Sequence, residues 1–115
     1  MVEVWGIPNC QTVKKARTWL DEHRVAYVFH DFKKEAPDAA LLERWLEDVP
    51  LDTLLNRRGT TWRQLDEAAR AAADSRDGAL ALMMAKPSVI KRPVVVLDRR
   101  IAVVGFDPER FAALA

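Results

Sequence analysis

Apolar residues along the chain recur with two periods, and the switches between them mark the elements. In "VEVW", at residues 2 to 5, apolar positions flank a polar one, which predicts a short strand. "IPNC" then reads as a turn. Over residues 12 to 23 the period lengthens. Val13, Ala16 and Leu20 fall on one face of a helix, with Lys14, Arg17 and Asp21 elsewhere. "VAYVFHDF" (25 to 32) is rich in β-branched and aromatic residues and returns to strand. A β-α-β opening of this kind favours two parallel strands with a right-handed crossover.

The middle of the chain is helical. Leu41, Leu42, Trp45, Leu46 and Val49 form an amphipathic stripe, with Asp38 placed as its N-cap. "LDTLLN" suits a single helical turn. In "RRGTTWRQLDEAARAA", Thr61 followed by Gln64 matches a capping box and predicts one helix over residues 62 to 72, capped by Thr60 and Thr61. "GALALMMAK" is a shorter helix stopped before Pro87, its Leu and Met serving the core. The end returns to strand: "RPVVVLD" and "IAVVG", joined by "DRR", read as an antiparallel hairpin. In "GFDPERFAAL" Asp107 is the expected N-cap, Pro108 sits at N1, and Phe106 and Phe111 are spaced as a hydrophobic staple. Without its central helices, the β-α-β…β-β-α order leaves a four-stranded mixed sheet of thioredoxin type. The expected class is α/β: one domain over residues 1–115, with a helical insertion at about 36–86.

Composition narrows the chemistry. A 115-residue chain with 50% hydrophobic and 30% charged residues can bury a core without disulfides or a structural metal. A net charge of +1 supplies no field to recruit nucleic acid or an anionic membrane, so neither is expected as a partner. No segment approaches the ~20 apolar residues that span a bilayer, and a reducing cytoplasm is the expected compartment. One cysteine and two distant histidines make no zinc pattern, and no metal is expected.

The single cysteine, Cys10, lies in "GIPNCQTVKK" just before the first helix. Free cysteine is among the most buried residue types, so a core role is the plain reading. Position argues for reactivity. Unpaired N–H groups and the positive end of the helix dipole favour a thiolate there, and Lys14 and Lys15 within about a turn add positive potential. The local residues leave both readings open.

Four blocks, "GIPNCQTVKKARTWL", "NRRGTTWRQLDE", "IKRPVVV" and "VGFDPERF", resemble in order the landmarks of the ArsC arsenate reductase family. The nearest likeness is its YffB-like branch, related to the Spx regulators. The resemblance covers nearly the whole chain and implies a thioredoxin-like fold with a helical insertion and a nucleophilic Cys10. It sets Arg92 at one position of an oxyanion-binding arginine triad, and Arg57 or Arg58 approximately at another. Gly105 stands at or near the third. Gly6 occupies the place of a histidine four residues before the cysteine. The shortage of charge-assisted donors weakens arsenate chemistry.

What remains is thiol chemistry without an internal resolving partner. The resemblance implies a glutathione-dependent thiol–disulfide reductase, with no tightly bound cofactor, glutathione as co-substrate, glutaredoxin as a further partner, and a small-molecule or protein disulfide as substrate. The chain is expected to act as a monomer. The alternatives are a strict arsenate reductase and a non-catalytic Spx-like protein-binding regulator. Gln11, Thr12 and Val13 follow Cys10, so a C-x-x-C switch is absent. Asn9 and Thr12 are either turn and capping residues or substrate contacts. Pro93 is implied to be cis and to face the cysteine, or else it is an ordinary edge proline. His23 and His30 are read as structural or exposed, and Trp5, Trp19, Trp45 and Trp62 as core or partly buried.

Overall fold

The computed structural model describes residues 1–115. In chain order the elements are β1 (Val2–Gly6), α1 (Gln11–Glu22), β2 (Tyr27–Asp31), α2 (Ala39–Asp48), α3 (Leu51–Leu54), α4 (Thr60–Gln64), α5 (Glu67–Ala72), α6 (Arg76–Ala85), a 3-10 turn (Pro87–Val89), β3 (Val94–Leu97), β4 (Arg100–Val104) and α7 (Pro108–Ala112). They form two compact units. Met1–Glu35 and Arg92–Ala115 make one; Ala36–Lys91 make the other. No helix is long and apolar enough to cross a membrane.

The first unit holds a four-stranded sheet in the order β2-β1-β3-β4. β1 runs parallel to β2, with Val4 opposite Phe29, and antiparallel to β3, with Val4 opposite Val95. β3 and β4 are the expected hairpin, with a register shift between Val95 and Val96. Its turn residues Asp98 and Arg99 have φ of 50° and 71°. Two positive φ values match the strand twist of a tight hairpin, although neither residue is the usual glycine. Alternation sends Val2, Val4, Val95 and Val103 to one face of the sheet, where they pack with Ala16 and Leu20 of α1 and Phe111 of α7. α7 is set as the sequence predicts. Asp107 accepts from the Glu109 N–H at 3.0 Å, and the Phe106 and Phe111 rings meet edge to face at 4.9 Å.

The second unit is helical. Leu42 and Trp45 of α2, Leu54 of α3 and Met83 of α6 are fully buried. Asp38 caps α2 through the Leu41 N–H at 2.8 Å, as its sequence predicts. The unit runs past residue 86 to Lys91, because the stretch after α6 pairs back: Leu55 and Ile90 form an antiparallel bridge, and the Lys91 N–H donates to the Leu54 carbonyl at 2.7 Å.

One expectation is overturned here. The predicted helix over residues 62 to 72 is two helices, and neither Thr60 nor Thr61 caps it. Gly59 is the N-cap of α4, which makes no side-chain cap bond. Leu65 then turns extended (φ −73°, ψ 147°) and is buried, and Asp66 starts α5 by accepting from the Ala69 N–H at 2.8 Å. The acid two residues past Gln64 is the stronger cap, and burying Leu65 favours the break. Ser75 caps α6 through the Gly78 N–H at 3.0 Å.

Asp66→Ala should therefore lower stability by about 1 kcal/mol, as cap removal does, and the thermal midpoint by roughly 4 °C. Thr61→Ala should shift the midpoint by less than about 1 °C. Thermal unfolding followed by circular dichroism compares the two, and the reverse ranking would restore the single-helix reading.

Candidate active site

The loop between β1 and α1 carries the thiol. β1 ends at Gly6, whose backbone approaches Val13 so closely that a Cβ built there would lie 2.8 Å from Val13 Cγ2. Val13 is fully buried. Any side chain at position 6 would displace a stiff β-branched residue from the core. The glycine thus seats the first turn of α1 against the sheet, which is a structural reason for the missing histidine. Pro8 and Asn9 are exposed, and Cys10 follows as the N-cap of α1, in extended conformation (φ −137°, ψ 126°) and partly exposed.

The Cys10 carbonyl accepts the first helical bond, from the Lys14 N–H at 2.9 Å. Its sulfur makes no regular cap bond, yet the field around it is positive. Partial burial pushes the thiol pKa up. The Val13 N–H, the hydrogen bond and charge of Arg92, and the Thr12 N–H outweigh that burial, and the thiol lies below its ordinary value. Lys14 and Lys15, expected to lower it, are not among the groups responsible. Both are exposed on α1, and Lys14 Nζ instead donates to Asn9 Oδ1 at 3.4 Å. A flexible, solvated ammonium a turn away is screened, whereas the helix N–H groups are fixed.

Arg92 reaches Cys10 through the topology. β3 is antiparallel to β1 with Val94 opposite Trp5, so the chain entering β3 lies beside the end of β1 where the thiol loop begins. The Arg92–Pro93 peptide bond is cis, and Pro93 is buried. Gly105, at the end of β4, has φ 92°, and its N–H donates to the Pro93 carbonyl at 2.8 Å.

Arg57 and Arg58 belong to the helical unit. Arg57 pairs with Asp52 and lies 5.8 Å from the Trp62 ring centroid, and the Arg58 N–H donates to Asn56 Oδ1 at 3.0 Å. Together with Lys91 the two arginines line a hollow of about 380 Å³. Lys91 was missed in the sequence; its signal was a second basic residue beside Arg92 in "IKRPVVV". Thr12 is exposed in the first turn of α1. Both histidines are tied into surface contacts. His23 stacks on Trp19 with Nδ1 2.8 Å from its carbonyl, and His30 stacks on Trp5 between Glu3 (2.8 Å) and Glu35 (3.0 Å). Trp5 and Trp45 are buried, Trp19 and Trp62 partly so.

A mixed sheet of thioredoxin type, interrupted by helices, with a single cysteine at the start of its first helix, defines the class. Within it, the chain belongs to the ArsC family, whose model matches residues 5–114. The solved YFFB protein is 51% identical, with a TM-score of 0.91 and full coverage of both chains. An arsenate reductase (ArsC) related protein from Brucella melitensis is 48% identical, with a TM-score of 0.75, over 97% of this chain and 92% of that one. An uncharacterized protein of Haemophilus influenzae is 37% identical over 113 residues, covering 98% of this chain and 97% of its own. The global transcriptional regulator Spx of Streptococcus pneumoniae is 24% identical over 115 residues, covering 98% of this chain and 84% of Spx. The family therefore relates this chain both to arsenate reductase-related proteins and to regulators.

Three measurements test this geometry. The pH profile of Cys10 alkylation should have its midpoint below that of free cysteine. Arg92→Met should move it upward and slow alkylation near neutrality roughly fivefold, the worth of a half-exposed charge-assisted hydrogen bond at about 1 kcal/mol. Because the folded thiol pKa lies below the unfolded one, its stabilising contribution is fully present above the unfolded pKa and is lost as pH falls through the folded pKa. The stability advantage over Cys10→Ser should thus grow with pH across that window. Separately, Gly6→Ala should cost about 2 kcal/mol in the native chain, and under about 0.5 kcal/mol in a Val13→Ala background. Equal costs in the two backgrounds would refute the Gly6–Val13 contact as the reason for the glycine.

Proposed function

We propose that this protein is a glutathione-dependent thiol–disulfide reductase in which Cys10 is the single nucleophile. The observation that carries the reading is the thiol at the start of α1, held below its ordinary pKa by the Val13 and Thr12 N–H groups and by Arg92. A thiolate attacks a disulfide sulfur, and its rate follows its ionised fraction.

On a glutathionylated substrate, the Cys10 thiolate attacks the glutathione sulfur. A Cys10–glutathione disulfide forms, the substrate–glutathione bond breaks, and the substrate sulfur leaves as a thiolate and takes a proton from solvent. A second glutathione, as thiolate, attacks the mixed disulfide, releasing oxidised glutathione and the Cys10 thiolate. The net change is a two-electron reduction of the substrate disulfide, the electrons coming from glutathione. The groups that lower the thiol pKa act twice, making Cys10 a nucleophile at neutral pH and a good leaving group in the second step. Glutaredoxin is an alternative resolving thiol. The chemistry suits the glutathione-rich cytoplasm and needs no bound cofactor. Asn9, Thr12 and Pro93 border the thiol in sequence or fold and are the proposed substrate contacts, with Arg92.

A second reading, arsenate reduction, draws on the hollow lined by Arg57, Arg58 and Lys91, which stays net positive although Asp52, the partner of Arg57, lines it too. Against it, Gly105 stands where the resemblance sets a third arginine. A docking role of Spx type rests on distant sequence similarity.

Steady-state turnover with glutathione and glutaredoxin supplied should be at least tenfold more efficient on a glutathionylated peptide than on arsenate, and Cys10→Ser should abolish it. Efficient Cys10-dependent arsenate turnover would reverse the order of the two readings. No turnover on either, with an ordinary thiol pKa, would favour docking.

A further inference from the structure

The outer face of α1 carries a feature that the thiol chemistry does not use. Gln11, Lys14, Lys15, Thr18, Trp19 and Glu22 fall at helical spacing on one stripe, and with Phe106 they line a groove of about 400 Å³. The groove starts at Gln11, the residue next to Cys10. Its cations are at that end, in Lys14 and Lys15, and its acid, Glu22, is at the other. Between them lies an aromatic floor. Trp19 packs edge-on against the fully buried Phe111 at 5.5 Å, and Phe106 does so at 4.9 Å. Trp19 is further held by a stack on His23 at 3.7 Å. A floor fixed from beneath is pre-organised and loses little side-chain freedom on binding.

We infer that this groove seats the polypeptide on either side of the reacting cysteine in a protein disulfide substrate, and that it selects acidic residues next to that cysteine. The inference rests on the proposed thiol chemistry. Length decides for a polypeptide over glutathione alone. The stripe runs the twelve residues of α1, about 16 Å at ~1.5 Å per residue, room for roughly five extended residues at ~3.4 Å each. Glutathione is a tripeptide with its sulfur in the middle, so from Cys10 it covers only the near end of the groove. Charge decides the sequence. Lys14 and Lys15 pair with carboxylates close to the reacting sulfur, an apolar side chain lies on Trp19 and Phe106, and Glu22 disfavours acid at the far end.

The test uses the native chain with three glutathione mixed disulfides: a peptide with glutamates flanking its cysteine, the same peptide with lysines, and free cysteine. The acidic peptide should have about tenfold higher kcat/KM than the basic one at low salt, the difference shrinking as salt rises. Lys14→Glu/Lys15→Glu should reverse the order, and Thr18→Glu, further from the thiol, should narrow it. The ratio between peptides is the readout, so a change in overall rate does not mimic it. Equal turnover of both peptides alongside turnover of the small disulfide overturns the groove and leaves the chemistry standing. No turnover of any overturns the chemistry. The groove is then judged by titrating Cys10→Ser with serine-substituted peptides and following backbone amide shifts. Shifts along residues 11 to 22 that are larger for the acidic peptide support it, and their absence overturns it.

Discussion

The contact on which the thiol unit depends is the packing of Val13 against the bare backbone of Gly6. It closes the loop between β1 and α1 and sets the first turn of the helix on the sheet, with Ala16 and Leu20 continuing the buried stripe. The free N–H groups of that turn are then fixed in space, and Cys10 is the residue that meets them. The antiparallel register of β3 on β1 sends Arg92 to the same end of the sheet. Thiol activation is therefore a consequence of two packing facts, one helix seated on a strand end and one strand entering beside it. Neither needs a dedicated general base.

This arrangement explains why the electrostatics around Cys10 do not follow the charges that a reader of the chain counts first. Lys14 and Lys15 are close in sequence, but both are exposed to solvent, and the Lys14 ammonium donates to Asn9. The Val13 and Thr12 N–H groups carry only partial charge, but they cannot rotate away, and Arg92 is half-buried, where its charge is less screened. Fixed dipoles beat flexible full charges when the target is a single sulfur at a helix end.

Much of the fold was legible along the chain because its signals are local and redundant. The alternation in "VEVW", the Val13–Ala16–Leu20 stripe, the hairpin runs and the Asp107–Pro108–Phe111 end each carry more than one cue, and each appears in place. The Thr61–Gln64 box failed because a second cap, Asp66, competed with it, and the winner was decided by where Leu65 is buried, a tertiary matter. Of the candidate site, the pairing of Cys10 with Arg92 was legible, since a motif marks both residues and the structure brings them together. The Gly6–Val13 contact and the N–H groups were hidden, since backbone atoms leave no residue type to read. The grouping of Lys91 with Arg57 and Arg58 was hidden too, because it depends on the Leu55–Ile90 bridge between stretches far apart in sequence.

The glycine at position 105 has a backbone cause. An oxyanion site gathers several donors because its charge is spread over several oxygens, whereas a thiolate presents one charge on one atom. Arg92 and two N–H groups already lower the thiol against the cost of its burial. A third arginine at 105 would have to adopt φ 92°, a left-handed conformation that costs an L side chain roughly 1–2 kcal/mol. That conformation is not free to relax, because the Gly105 N–H is bonded to the carbonyl of Pro93, the residue after Arg92. The backbone beside Arg92 is thus tied to the glycine at 105, so the conformation that excludes a third arginine belongs to the same hydrogen-bonded junction that brings Arg92 to the end of the sheet.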